Sequence, residues 1–100
     1  MLEYRLSKKA EKDIGNIARY GIEQFGIEQA RIYRDSIIAC FKTLAENPSM
    51  GRKADKIQAG YRCFDYRSHL IFYKSEGQDI LIIRVLHKRM DAPRHFLDMR

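Results

Sequence analysis

The stretch Asp79–Asp91, DILIIRVLHKRMD, constrains the fold more than any other part of this chain. Ile80, Leu81, Ile82, Ile83, Val85 and Leu86 form an almost unbroken β-branched and aliphatic run. A strand with apolar side chains on both faces has to lie in the middle of a sheet, with cover on each side. Arg84 interrupts the run, and His87, Lys88 and Arg89 follow at its end. The strand thus carries basic groups to its own C-terminal edge, which makes that edge the first place to look for function.

The remaining segments read as scaffold for this strand. Leu2–Leu6 alternates apolar and polar residues, as in a short half-buried strand. Ser7 stands where a helix N-cap belongs, with Glu11 and Asp13 in the opening turns, where the helix dipole favours negative charge. The spacing of Ala10, Ile14, Ile17, Ala18, Gly21 and Phe25 predicts a helix over Lys8–Phe25, with Lys9, Lys12, Asp13, Asn16, Arg19 and Glu23 filling its other faces. Gly26 is a natural stop. Ala30, Tyr33, Ile37, Phe41 and Leu44 predict a second helix over Glu28–Glu46, ended by Asn47-Pro48. So short a turn requires an antiparallel helix hairpin, and Gly21 on the packing face lets the partner helix approach closely.

Ser49–Gly60 shows no periodicity and is predicted to be a basic loop. Tyr61–Tyr66, His69–Lys74 and Asp79–Leu86 read as three strands joined by tight turns at Arg67-Ser68 and around Gly77, hence antiparallel. Asp91-Ala92-Pro93 looks like the start of a short C-terminal helix, with Asp91 as N-cap. The order predicts one α+β domain spanning 1–100. Its helix hairpin should lie on one face of a mostly antiparallel four-stranded sheet. The opposite sheet face and at least one edge are then exposed or covered by something else, leaving an edge strand open to pairing with a partner.

Composition narrows the function. The net charge is +6, from 19 Lys and Arg against 13 Asp and Glu, which favours an acidic partner without choosing its kind. No apolar run approaches the roughly 18 residues a membrane span needs, and the N-terminus carries no secretory signal pattern. Cys40 and Cys63 stand far apart in apolar surroundings and read as reduced core thiols of a cytoplasmic protein. The three histidines cluster with neither, so no metal, cofactor or small-molecule site is expected.

The hairpin ending in NP, the loop GRK, the segment GYRCF, then HLIFY and RVLHKRMD with a closing helix resemble the ParE family, within the RelE/ParE superfamily of toxin–antitoxin systems. The resemblance runs from about Tyr4 to Phe96 and is most specific at Arg84–Asp91. It implies a cytoplasmic toxin that binds DNA gyrase and blocks replication and division. It also implies a ParD-like antitoxin whose C-terminal part wraps the toxin in a hetero-oligomer. RelE-like relatives keep the fold but cut messenger RNA in the ribosomal A site.

Two sets of candidate residues follow. A metal-free ribonuclease needs a base, an acid and cations on the developing phosphorane. Arg62 and Arg84, on strands flanking a middle one, and His87 at the strand end are the candidates for that alternative. No carboxylate is obviously available to pair with His87 except Asp91, and the residues after the last strand follow the ParE pattern. Binding without bond cleavage is therefore the leading expectation. The target-binding surface is placed on Arg84, His87, Lys88, Arg89, Met90 and Phe96, together with the basic loop residues Arg52, Lys53 and Lys56. Arg84, inside an apolar strand, is expected to pair with a buried carboxylate, with Asp65 as the plausible partner. His69 and His95 carry little signal, and the lysines and arginines of the helices read as solvated.

Overall fold

A computed structural model describes residues 3–90 and 92–97. Ser7 organises the N-terminal third. Its backbone is extended (φ −67°, ψ 162°), and its Oγ accepts the Ala10 N–H at 3.0 Å, capping helix α1 (Lys8–Phe25). The same hydroxyl donates to the Ile83 carbonyl at 2.7 Å, and the Ser7 N–H donates to the Ile82 carbonyl. One residue thus starts the helix and ties it to the apolar strand. Helix α2 spans Ile27–Glu46, beginning one residue before the expected Glu28. Gly26 alone joins the two, at φ 89°, a conformation open to glycine and costly for other residues. Gly21 meets Ala30 so closely that an added Cβ would lie 3.2 Å from the Ala30 Cβ, the close helix approach anticipated from its small side chain.

The sheet has five strands: β1 (Tyr4–Leu6), β2 (Arg52–Lys53), β3 (Arg62–Tyr66), β4 (His69–Glu76) and β5 (Asp79–His87). Their order is β1-β5-β4-β3-β2, with β1 parallel to β5 and every other pair antiparallel. The expected count of four is corrected by β2, which lies in the segment predicted to be loop. Its two residues pair with Cys63 and Arg62, too short a run to leave any alternation in the sequence. Both edge strands are short, which limits the free edge available to a partner. Leu2 and Asp91, expected in β1 and as the last helix cap, lie outside the described residues.

β5 lies between β1 and β4 and has cover on both faces, as its composition demands. Its alternation breaks in the middle. Tyr73 pairs with Ile82 and Phe72 with Arg84, so Ile83 is skipped. This bulge lets Ile80 and Ile82 before it, and Val85 after it, all face the helices, with Ile83 and Leu86 on the other side. The helix-side core joins them to Ala10, Ile37, Phe41, Leu44, Ile71 and Tyr73. Each large apolar side chain buried there contributes about 1.5–3 kcal/mol.

The opposite face carries a second, smaller core of Cys63, Phe72, Ile83, Leu86 and Phe96. Residues 54–61 and the short helix α3 (Ala92–Leu97) cover it, so helical cover is not confined to one side of the sheet. Phe96 makes this possible by standing edge-on to Phe72 (centroids 4.9 Å) and to Tyr61 (5.7 Å). Cys40 and Cys63 are free thiols, half-buried and buried. Burial pushes the Cys63 thiol up to about 11, so it stays protonated and inert. Among the described residues no helix is long and apolar enough to cross a membrane.

Candidate docking surface

The candidate residues separate into groups with different jobs. Arg84 is a structural ion pair. Its Nε and a terminal guanidinium nitrogen donate to the Asp13 carboxylate of α1 at 2.8 and 3.0 Å, and the Val85 N–H donates to the same carboxylate at 2.9 Å. The side chains are 13% and 10% exposed. The expected partner, Asp65, instead holds Arg52 and lies 3.9 Å from Lys88. Asp13 was expected off the apolar packing stripe of the first helix. The close packing of α1 over β5 turns it inward, and Arg84 compensates its charge there.

Arg62 is committed elsewhere. It donates to the Gly51 carbonyl at 2.6 Å. The Gly51 N–H donates to the Tyr73 hydroxyl at 2.8 Å, and that hydroxyl donates to the Pro48 carbonyl at 2.8 Å. A Cβ on Gly51 would lie 2.5 Å from the Tyr73 oxygen, so only glycine fits this approach. Tyr73 and Arg62 therefore clamp the connector leading into β2. The two strand arginines do not converge on one phosphate-sized space: one faces a loop carbonyl, the other a helix carboxylate.

Phe96, expected to touch a target, is 7% exposed and belongs to the second core. Lys53, in β2, and Lys56, in the segment that follows, are exposed. Of the nine proposed binding residues, His87, Arg89 and Met90 come together, on the wall of a groove of about 920 Å³. The other wall is the helix hairpin, with Tyr20 and Phe25 from α1 and Ile32 and Tyr33 from α2. Phe25 was expected in the core and is 68% exposed; Tyr20, Ile32 and Met90 are also largely exposed. Arg67, at the β3–β4 turn with φ 52°, supplies a second cation beside Arg89.

At one end of the groove β4 begins and β5 ends, and His69 and His87 are direct cross-strand partners. Their rings meet edge to face at 5.4 Å. The Tyr33 oxygen lies 2.6 Å from His69 Nδ1, joining α2 to the sheet. Burial first, and then the neighbouring His87, pull His69 down to about 4, with Asp13 opposing, so this ring is neutral at physiological pH. Burial also raises the Tyr33 hydroxyl, which keeps its proton. The Arg89 N–H donates to His87 Nδ1 at 3.1 Å, and the Met90 N–H donates to the His87 carbonyl. These bonds fold the turn that presents Arg89 and Met90.

Tyr20, Phe25, Ile32, Tyr33, Arg67 and His69 were not expected from the sequence on a binding surface; Phe25 and Tyr33 were read as packing residues. A signal existed: Tyr20, Ile22, Ile27 and Ile32 are apolar residues off the packing stripes, more than the hairpin can bury. Among the described residues no three His, Cys, Asp or Glu side chains come together as a metal site.

Fold and groove together define a small α+β domain with an open apolar trough flanked by cations. The model of the family described as ParE toxin of type II toxin–antitoxin system, parDE, matches residues 4–92, and the chain belongs to that family. It is 40% identical to Toxin ParE1 of Caulobacter vibrioides over 95 residues, covering 95% of this chain and 98% of that protein. It is 34% identical to Toxin ParE1 of Mycobacterium tuberculosis, covering 92% and 95% respectively. Among solved structures, a chain of the chromosomal ParDE system from P. aeruginosa superposes with a TM-score of 0.75 at 20% identity, over 87% of this chain and 96% of that one. This last likeness is one of fold.

Proposed function

We propose that this toxin arrests growth by binding DNA gyrase rather than by breaking bonds, and that a ParD-type antitoxin neutralises it by seating an acidic, apolar segment in the hairpin groove. The groove carries the second half of this reading. It offers exposed Tyr20, Phe25, Ile32 and Met90 to an apolar stripe and Arg67 and Arg89 to carboxylates. The dispersal of Arg62, Arg84 and His87 supports the first half. Each is already engaged, by the Gly51 carbonyl, the Asp13 carboxylate and the Arg89 amide respectively. No phosphorane-binding set is preassembled among them.

A gyrase supercoiling assay with added toxin tests the target. Wild-type protein should inhibit supercoiling, and Arg89→Ala should weaken inhibition without lowering the melting temperature, because Arg89 is exposed. Unchanged supercoiling at a large excess of folded toxin refutes gyrase as the target. Messages cut at the ribosomal A site in induced cells, with cutting abolished by His87→Ala, would establish the nuclease alternative instead.

A further inference from the structure

We propose that the His69–His87 pair makes antitoxin docking proton-sensitive, so that the groove holds the acidic segment while both rings are neutral and loosens it when a proton is added to His87. This rests on the docking reading above and adds to it a regulation of the same surface.

The wall that carries Arg89 and Met90 depends on a neutral ring. His87 Nδ1 accepts the Arg89 N–H, so the proton of the neutral imidazole sits on Nε2. An imidazolium has protons on both nitrogens and cannot accept. Charging His87 therefore breaks one of the two bonds that fold the turn, the one to the Arg89 N–H, and shifts Arg89 and Met90 on the groove wall. Histidine is the side chain whose charge ordinarily changes between about pH 5 and 8.

The surroundings favour the neutral pair. His69 stands against His87, so charging one opposes charging the other. Arg67 from the β3–β4 turn and Arg89 after β5 add positive charge to the same groove. Lys88 turns toward Asp65. Tyr33 from α2 and Tyr66 from β3 pack beside His69 and contribute no charge. Among the described residues Asp13 from α1 is the one carboxylate lining the groove, and it already faces Arg84 and the Val85 amide. An apolar segment sealing the groove also removes water from the rings, which penalises the charged form further. The partner's carboxylates go to Arg67 and Arg89, whose charge does not change in this range.

The test is the affinity of the cognate ParD-type antitoxin, fluorescently labelled, at about pH 7.5 and about pH 5.5, both above the ordinary carboxylate range. Wild-type toxin should bind up to about tenfold more weakly at the lower pH, the scale expected when binding excludes a single proton. His87→Asn keeps an oxygen that can accept the Arg89 N–H in an Asx turn and cannot titrate. It should bind with the same affinity at both values. In the free toxin, the Arg89 amide resonance should move between the two conditions in wild type and stay still in His87→Asn.

A pH-independent wild-type affinity, or an equal pH slope in His87→Asn, overturns the proton switch. Phe25→Asp separates this from the docking reading, since Phe25 is exposed and the variant should keep the wild-type melting temperature. If Phe25→Asp binds antitoxin at full strength, the groove is not the docking site and the underlying reading falls. If Phe25→Asp abolishes binding while wild type ignores pH, only the switch falls.

Discussion

Asp13→Ala should be among the most destabilising single substitutions in this protein. Asp13 satisfies three donors at once, two on Arg84 and the Val85 amide, in a site where both side chains are about nine-tenths buried. Removing the carboxylate leaves a guanidinium without its partner and a strand N–H without an acceptor. Breaking a buried pair on one side costs about 3–5 kcal/mol, a large part of the roughly 5–15 kcal/mol that holds a domain together. For a domain of this size the melting temperature should fall by at least about 12 °C. Asp13→Asn keeps one acceptor oxygen and should lose less. The decisive variant is Asp13→Ala combined with Arg84→Met. It removes both charges and leaves mainly the Val85 N–H unsatisfied, a penalty of about 1–3 kcal/mol. The double variant should therefore be more stable than Asp13→Ala alone. Urea denaturation followed by circular dichroism measures all of these, provided the denaturant slopes agree. If Asp13→Ala loses less than about 1 kcal/mol, or the double variant is as unstable as the two single losses summed, the ion pair does not have the role assigned to it.

Two further outcomes follow from the same contacts. Tyr73→Phe removes the hydroxyl shared by the Gly51 amide and the Pro48 carbonyl; it should cost about 1–3 kcal/mol and speed hydrogen exchange at Gly51, whereas protected exchange at that amide would refute the clamp. His69 is held neutral at about 4 against an ordinary 6.5, so the unfolded chain binds the extra proton between these values. Its contribution to stability is whole above pH 6.5 and fades as pH falls toward 4, and a melting-temperature profile should show His69→Asn closing the gap to wild type across that window.

Much of the architecture was legible in residues that act on their neighbours. Ser7, Gly26 and Asn47-Pro48 bound both helices to within a residue, because caps, positive φ and the geometry before proline are local effects. The tight turns at Arg67-Ser68 and Gly77 likewise required the antiparallel meander. Strand β2 was not legible, since two residues cannot show a period, and neither was the cover that α3 and residues 54–61 give the second sheet face. Of the residues lining the groove, His87, Arg89 and Met90 follow the apolar strand and stood out in the sequence, whereas those on the hairpin did not. Tyr20 and Phe25 look like any other apolar helix residues until the sheet's extent decides which of them it reaches.

The amino-acid order alone determined, to within a residue, where the two long helices and strands β3 to β5 begin, how those three strands pair, and that Asp79–His87 must be buried on both sides. Each of these depends on side chains a few positions apart. Tertiary structure decided that Arg84 meets Asp13 rather than Asp65, that Ile83 is skipped in the ladder, and that His69 and His87 share one end of an open groove. The two side-chain pairings join residues 71 and 18 positions apart, and the skipped residue depends on which residues of the neighbouring strand it faces. These outcomes depend on register and on how one layer lies over another, and no short window of sequence contains that information.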